Sequence, residues 1–348
     1  MTGPGADGLA IGIDIGGTKV AGGVVDPGGQ VLHRARRHTP HRSTKPGVVE
    51  NTIVEVFDEL LAASGHDAGG GTVTAVGIGA AGFVAADRAT VVFAPHLSWR
   101  HEPLRAALQR RIDAPIFVDN DANAAAWAEW RFGAARGESH MVMVTLGTGI
   151  GGALLMDGQV IRGRFGIAGE FGHMQVVPGG HRCECGNRGC WEQYASGNAL
   201  VREARSLMTA GSPMATDLLE RVGGDPANLS GPLITDAARA GDQTAIELLA
   251  EIGLWLGTGI ANLAAAFDPG IFVIGGGVSA AGDLLLEPAR DRFRKQLTGR
   301  GYRPEAEIVA AQLGNEAGLI GAADLARQAV GSGPGGGLPD ADGPGAGA

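Results

Sequence analysis

The 348-residue sequence contains three cysteines, and all three fall within eight positions: Cys183, Cys185 and Cys190. Thiolates this close on a glycine-bearing loop suit a tetrahedral zinc site that one more donor would close. His173 and His181 both stand just upstream, and spacing alone admits either. A disulfide would leave one thiol over, and the single-residue gap between Cys183 and Cys185 is a poor geometry for bridging. The segment Met1 to Gly8 has neither the cationic start nor the apolar core of a secretion signal, so reduced thiols in a cytoplasmic setting are expected. Three sulfurs with an imidazole favour zinc over iron. Two acids frame the loop: Glu170 precedes His173 by three residues, and Glu192 follows Cys190 by two. A metal that pins these segments brings two carboxylates into one neighbourhood, where they can serve a substrate pocket.

A second polar cluster, Asp119-Asn120-Asp121-Ala122-Asn123, stands where an apolar strand gives way to an alanine-rich helix. Asp and Asn are favoured helix caps, but one cap does not account for four polar residues in five positions. Ligands of open α/β sheets bind at the carboxyl ends of the strands. A carboxylate there can accept a proton from an attacking hydroxyl while the neighbouring amide orients the same substrate. Asp121 is the expected base.

Two glycine turns supply a third kind of chemistry. Asp14-Ile15-Gly16-Gly17-Thr18-Lys19 and Leu146-Gly147-Thr148-Gly149-Ile150-Gly151-Gly152 each join two β-type runs. Glycine lets backbone N–H groups approach an anion, and Thr and Lys add a hydroxyl and a cation. The first turn leads into a strand, unlike the P-loop and the dinucleotide-binding loop, which lead into helices. One such turn reads equally as a plain hairpin; two, each with threonine, point to a bound nucleotide. Asp14, just before the first turn, is placed to hold Mg²⁺ through water.

The elements that must carry these residues repeat. Strand-type runs from Leu9 to Val25 flank the first turn, and Asp26-Pro27-Gly28-Gly29 leads to a third strand, Gln30 to His33. The same order returns from Met141, with strands Ala153 to Met156 and Gln159 to Ile161 after the second turn. Between the copies the pattern predicts a helix from Pro46 to Ala63, a strand Val73 to Gly79, a helix near Glu102 to Arg111 and a strand Ile116 to Val118. Helices follow the cysteine loop, then a buried strand, Ile271 to Ile274, runs into Gly275-Gly276-Gly277, and a last helix covers Asn315 to Gln328. A net charge of −9 gives no general attraction to nucleic acid or anionic membrane. No run of eighteen uninterrupted apolar residues is present, which argues against a membrane span. Residues 1–8 and 331–348 have little to bury and are expected to be disordered.

Taken in order, the two glycine turns, Asn120-Asp121-Ala122-Asn123-Ala124, Gly169-Glu170-Phe171-Gly172-His173, Cys183-x-Cys185-Gly186-x-x-Gly189-Cys190-x-Glu192 and Ile274-Gly275-Gly276-Gly277 make a pattern. From Ile11 to about Gln328 the chain resembles the ROK family of sugar kinases and repressors, and within it the bacterial ATP-dependent glucokinase group. The resemblance implies an actin-like (ribonuclease H-like) α/β fold, duplicated as two domains around a cleft. The small domain would cover 9–119, completed by a helix within 315–330, and the large domain 120–314 with a zinc loop at 173–190. It implies transfer of the γ-phosphoryl of ATP to the 6-hydroxyl of glucose with Mg²⁺, Asp121 acting as base. Asn120, Glu170, His173 and Glu192 would bind sugar hydroxyls. Asp14, Gly16, Gly17, Thr18 and Lys19, with Gly147, Thr148 and Gly149, would meet the phosphates and their magnesium, and Gly275, Gly276 and Gly277 the adenosine. It assigns structural zinc to His173 with Cys183, Cys185 and Cys190, which sets His181 aside and gives His173 one ring nitrogen for the metal and one for a hydroxyl. Assembly as a homodimer or homotetramer is also expected, with no nucleic-acid or membrane partner.

Other classes are less well served by the residues. A repressor of the same family needs a helix-turn-helix module ahead of the first hairpin, and Asp14 leaves no room for one. A zinc-stabilised sugar sensor has no use for a base and two phosphate turns, and an actin- or chaperone-type ATPase has none for Glu170 and Glu192 beside a metal. Kinases of the pattern that act on fructose, mannose or N-acetylhexosamine remain the alternative. The small-residue run Gly79 to Val84 is compatible with a compact hexose, and equally with tight packing after a strand.

Overall fold

The structure is a computed structural model that describes residues 8–65 and 72–331. Of the two ends expected to be disordered, 1–7 and 332–348 therefore lie outside the described residues. Gly8 and Gly331 correct that expectation: the carbonyl of Gly8 accepts a 2.9 Å hydrogen bond from Arg327 Nε, and Gly331 ends the last helix.

The chain divides into two units, 1–84 with 88–121 and 319–348, and 85–87 with 122–318. In the first, β1 (Leu9–Ile15), β2 (Lys19–Val25), β3 (Val31–His38) and β4 (Val73–Ala80) join a later strand in one sheet. Three short strands, β5 (Phe83–Val84), β6 (Val91–Phe93) and β7 (Arg100–Glu102), form a separate antiparallel sheet before β8 (Ile116–Asn120) completes the first. The order is β3-β2-β1-β4-β8, antiparallel through β1 and parallel from β1 to β8. The second unit repeats this with β9 (Met141–Leu146), β10 (Ile150–Met156), β11 (Gln159–Val160), β12 (Ile271–Gly275) and β13 (Glu307–Ala310), in the order β11-β10-β9-β12-β13 and with the same senses. The duplication read from the two glycine turns is thus the organisation of both sheets, as in the actin-like fold.

Residues of period two explain how the first sheet packs. Ile11, Ile13 and Ile15 of β1, Val76 and Ile78 of β4 and Val118 of β8 are buried in one core with Ile53, Val56 and Leu60 of the helix Pro46–Ser64. Gly12 of β1 and Gly77 of β4 are register partners. A Cβ at either would come within 1.8 Å of a carbonyl oxygen of the helix Ala317–Gly331, Leu319 and Ala322 respectively. The pair of glycines is the trough in which that helix lies. From it the buried guanidinium of Arg327 reaches Asp324 Oδ1 and the Val25 carbonyl, each at 2.7 Å, so that with Gly8 every guanidinium nitrogen has a hydrogen-bond partner.

In the second unit, Val142, Val144, Phe272 and Ile274 share a core with Leu249, Leu256 and Ile260 of the helix Gln243–Phe267. By length and composition this is the one helix among the described residues able to cross a membrane, but 61% of its apolar window is buried inside the protein. Its hydropathy belongs to a core helix. Two expected helices differ from the pattern, one shorter and the other shifted toward the carboxyl end as Ala317–Gly331. The one near Glu102 to Arg111 spans Leu104–Gln109, because Arg100–Glu102 pairs as β7 and Pro103 intervenes. Asn315 and Glu316 form a 3₁₀ turn ahead of the final helix.

Candidate functional site

In the first unit the candidate residues gather at the carboxyl ends of the parallel strands. Asp14, Gly79 and Asp119 are register partners across β1, β4 and β8, and Ala80 pairs with Asn120. Because β8 runs through Asn120, this residue and Asp121 belong to the first unit rather than to a second domain beginning at 120. Asp121 opens the helix Asp121–Phe132, where the helix dipole favours a negative charge. Asn120 Nδ2 donates to Asp121 Oδ1 and to the Gly82 carbonyl, both at 3.0 Å. Asp119, which the sequence offers only as one polar residue of the cluster, is buried and accepts the Asn120 N–H at 2.9 Å. The glycine turn after Asp14 is closed by Gly16 N–H to the Lys19 carbonyl at 2.9 Å, and Thr39 Oγ1 donates to the Gly16 carbonyl at 2.7 Å. Gly17 and Thr18 are left exposed at its crest.

Burial, and then the neighbouring Asp121 carboxylate, push the Asp14 carboxyl from its ordinary 3.8 up to about 7, against the opposing pull of Lys19. The folded state therefore holds a proton that the unfolded chain has released, and its stability falls as pH rises between those two values. Asp14→Asn, with no proton to lose, is expected to gain on the native chain by roughly 1–3 kcal/mol between about pH 5 and about pH 8. Urea unfolding of both proteins at the two pH values measures this, and a difference independent of pH would contradict it.

In the second unit the structure brings the thiols together. Ligand atoms of His173, Cys183, Cys185 and Cys190 all lie within 4.8 Å of one another. The loop reaches this shape through Gly189, whose φ of 77° is in the left-handed region and whose Cβ would stand 1.7 Å from the Val177 carbonyl oxygen. His173 Nδ1 is 3.6 Å from Cys183 Sγ, and Cys185 and Cys190 sulfurs are 3.6 Å apart. The edges of a zinc tetrahedron with bonds of about 2.3 Å to sulfur and about 2.0 Å to nitrogen are roughly 3.5–3.8 Å. These four residues fit a zinc ion. His181 is outside the cluster, its ring against Tyr194 at 5.2 Å and its backbone N–H donating to the Tyr194 hydroxyl. Burial and a hydrogen bond to Glu192 raise the Cys183 thiol, and burial with Cys185 raises Cys190. Burial also acts to raise Cys185, but the Asn187 N–H and the other two thiols outweigh it and bring Cys185 below the ordinary thiol range.

Glu192 does more than the sequence suggests. Its Oε1 accepts from Cys183 Sγ at 3.0 Å and lies 3.6 Å from His173 Nδ1, while Oε2 is 3.5 Å from the Ile150 N–H. A Cβ at position 149 would stand 2.5 Å from the same Oε2, so Gly149 makes room for the carboxylate. The acid therefore spans the thiol loop and the second glycine turn. That turn is held separately by Gly197 N–H on the Gly147 carbonyl at 2.9 Å and Asn198 N–H on Thr148 at 3.4 Å. Gly275 pairs with Thr145, and a Cβ at Gly276 would stand 2.5 Å from the Leu146 carbonyl oxygen. Gly147 to Gly149 and Gly275 to Gly277 are thus neighbours at adjacent strand ends. Glu170 begins the 3₁₀ turn Phe171–His173, which is packed on β10 through Gly152 and Gly172.

A family model described as the ROK family matches residues 10–329. A glucokinase of Streptomyces coelicolor is 47% identical over 321 residues, 92% of this chain and 98% of that protein. Among solved structures, a ROK family glucokinase from Streptomyces griseus in complex with glucose and AMPPNP is 49% identical, with a TM-score of 0.83, over 92% of this chain and 100% of that one. A ROK hexokinase from Thermus thermophilus is 33% identical, with a TM-score of 0.73, over 93% and 100%.

Proposed function

The chain belongs to the ROK family, and we propose that it is an ATP-dependent glucokinase, which transfers the γ-phosphoryl of ATP to the 6-hydroxyl of glucose. The observation that carries this reading is the position of Glu192. One carboxylate rests on both the thiol loop and the turn Gly147 to Gly149, so a group suited to sugar hydroxyls and backbone suited to phosphates are parts of one assembly. Similarity to glucokinases at 47% and 49% identity supports glucose as the sugar.

Phosphoryl transfer passes through a loose transition state, and the protein's work is alignment and charge neutralisation. Asp121, held by Asn120, takes the proton of the attacking hydroxyl late in the reaction. Asn120, Glu170, His173 and Glu192 bind the remaining hydroxyls. Gly16, Gly17, Thr18 and Lys19, with Gly147, Thr148 and Gly149, meet the phosphates of Mg²⁺-ATP, and Gly275, Gly276 and Gly277 the adenosine. Asp14 would hold the magnesium, which would neutralise charge on the phosphates. His173, Cys183, Cys185 and Cys190 hold zinc, which when bound ties the loop and leaves the chemistry at phosphorus to other groups.

Sugar-dependent release of ADP from the purified protein tests this, with glucose, fructose, mannose and N-acetylglucosamine compared at one ATP concentration. Glucose is expected to be used best. Release of ADP at the same rate without sugar, or preference for another hexose, would overturn the assignment.

A further inference from the structure

Arg88 lies on the turn between β5 and β6 with φ at 50°, a left-handed conformation that disfavours a side chain as large as arginine. Two contacts place it against β8. Its carbonyl accepts the Val118 N–H at 3.3 Å, and its Nη2 is 3.3 Å from Asp119 Oδ2. The Asp119 side chain is only 5% exposed, so its charge needs a partner inside the protein. The other oxygen of that carboxylate accepts the Asn120 N–H at 2.9 Å. Asn120 in turn gives its amide to Gly82 and to the Asp121 carboxylate. Gly82 and Arg88 flank the same short strand, so one hairpin grips Asn120 from two directions, by the Gly82 carbonyl and through Asp119.

We propose that Arg88 is a positioning residue for Asp121, fixing the direction of that carboxylate through Asp119 and Asn120. The inference rests on the sugar-kinase reading for its effect on turnover. Asp121 already repels Asp14, and Asp119 adds a third, buried acid at the same strand ends. Arg88 neutralises the innermost. Its removal takes a positive charge from beside the buried carboxylate, and a shift of that carboxylate loosens the N–H of Asn120 and the amide that aims Asp121.

Steady-state kinetics of Arg88→Ala and Arg88→Lys test this, with thermal melting to register the folded fraction. In Arg88→Ala, kcat for glucose is expected to fall on the order of 10–100-fold, the scale of a misplaced reacting group, while KM for ATP stays within about threefold. Arg88→Lys, which restores the charge beside Asp119, is expected to recover most of the loss. A folded Arg88→Ala with native kcat, a change confined to KM, or a lysine variant no better than alanine would overturn the proposal. Should Arg88→Ala fail to fold, Asp119→Asn keeps the shape and removes the charge; a lowered kcat supports the inference and a native kcat overturns it. If the native chain phosphorylates no hexose, the functional reading fails on its own. A crystal structure of Arg88→Ala then decides the positioning claim by whether Asn120 has left the Gly82 carbonyl or stayed on it.

Discussion

Replacing Asp121 with alanine is expected to lower glucose-dependent turnover by about 10³-fold or more while glucose and ATP still bind. The effect is large because, in the proposed mechanism, one carboxylate serves as proton acceptor and as a contact for the reacting hydroxyl, and both are lost together. Binding survives because the surroundings do not depend on it. Asn120 keeps its 3.0 Å bond to Gly82 and its N–H keeps Asp119, while the phosphate turn is closed by its own Gly16 to Lys19 hydrogen bond. Asp121→Asn separates the two roles, since it preserves size and loses basicity, and it is expected to be nearly as slow. Either variant also removes a negative charge that raises the Asp14 carboxyl, so the Asp14 titration should move down from about 7. Calorimetric titration of both substrates beside steady-state kinetics measures all of this. Turnover near that of the native chain would remove Asp121 from its role.

Candidate residues that stand within one short stretch of chain were legible in the sequence. The glycine turns, the Asn120-Asp121 pair and the cysteine loop announce themselves because hairpins, strand ends and loops set their own geometry locally. The duplicated sheets followed from two such turns, each between apolar runs. Contacts made across long separations were not legible. Arg88 and Asp119 lie 31 residues apart, and nothing in a common arginine on a turn announces a left-handed backbone or a buried carboxylate partner. The reach of Glu192 to Gly149 and Ile150 is of the same kind. So is the trough of Gly12 and Gly77, whose purpose appears only with the helix that returns more than two hundred residues later. The strands β5 to β7 were missed because each is two or three residues long, too short for a period to show. Spacing alone likewise permits both His173 and His181; the family resemblance chose His173, and the fold agrees, putting that ring on the thiols and the other on Tyr194.

Cys183→Ser is expected to lose bound metal, and to weaken glucose binding by about tenfold or more while ATP affinity changes less than about threefold, the usual scale for groups that orient a ligand being 10–100-fold. The asymmetry follows from what Cys183 touches. Its sulfur is 3.6 Å from His173 Nδ1 and 3.0 Å from Glu192 Oε1, so two of the residues assigned to sugar hydroxyls lean on it directly. A serine oxygen in its place neither reaches as far as the thiolate nor matches zinc's preference for sulfur and nitrogen, and the left-handed turn at Gly189 then loses the cross-link that holds it closed. The nucleotide side has other supports. Gly147 and Thr148 are anchored to the segment at Gly197 and Asn198 by backbone hydrogen bonds that do not involve the loop, and Gly275 is fixed by its pairing with Thr145 in the sheet. Stoichiometric metal analysis, run beside calorimetric titrations with glucose and with a non-hydrolysable ATP analogue, discriminates between the possibilities. Equal losses for both ligands would make the metal a support for the whole unit. Undiminished glucose affinity in metal-free protein would mean that Glu170, His173 and Glu192 are held in place by packing alone.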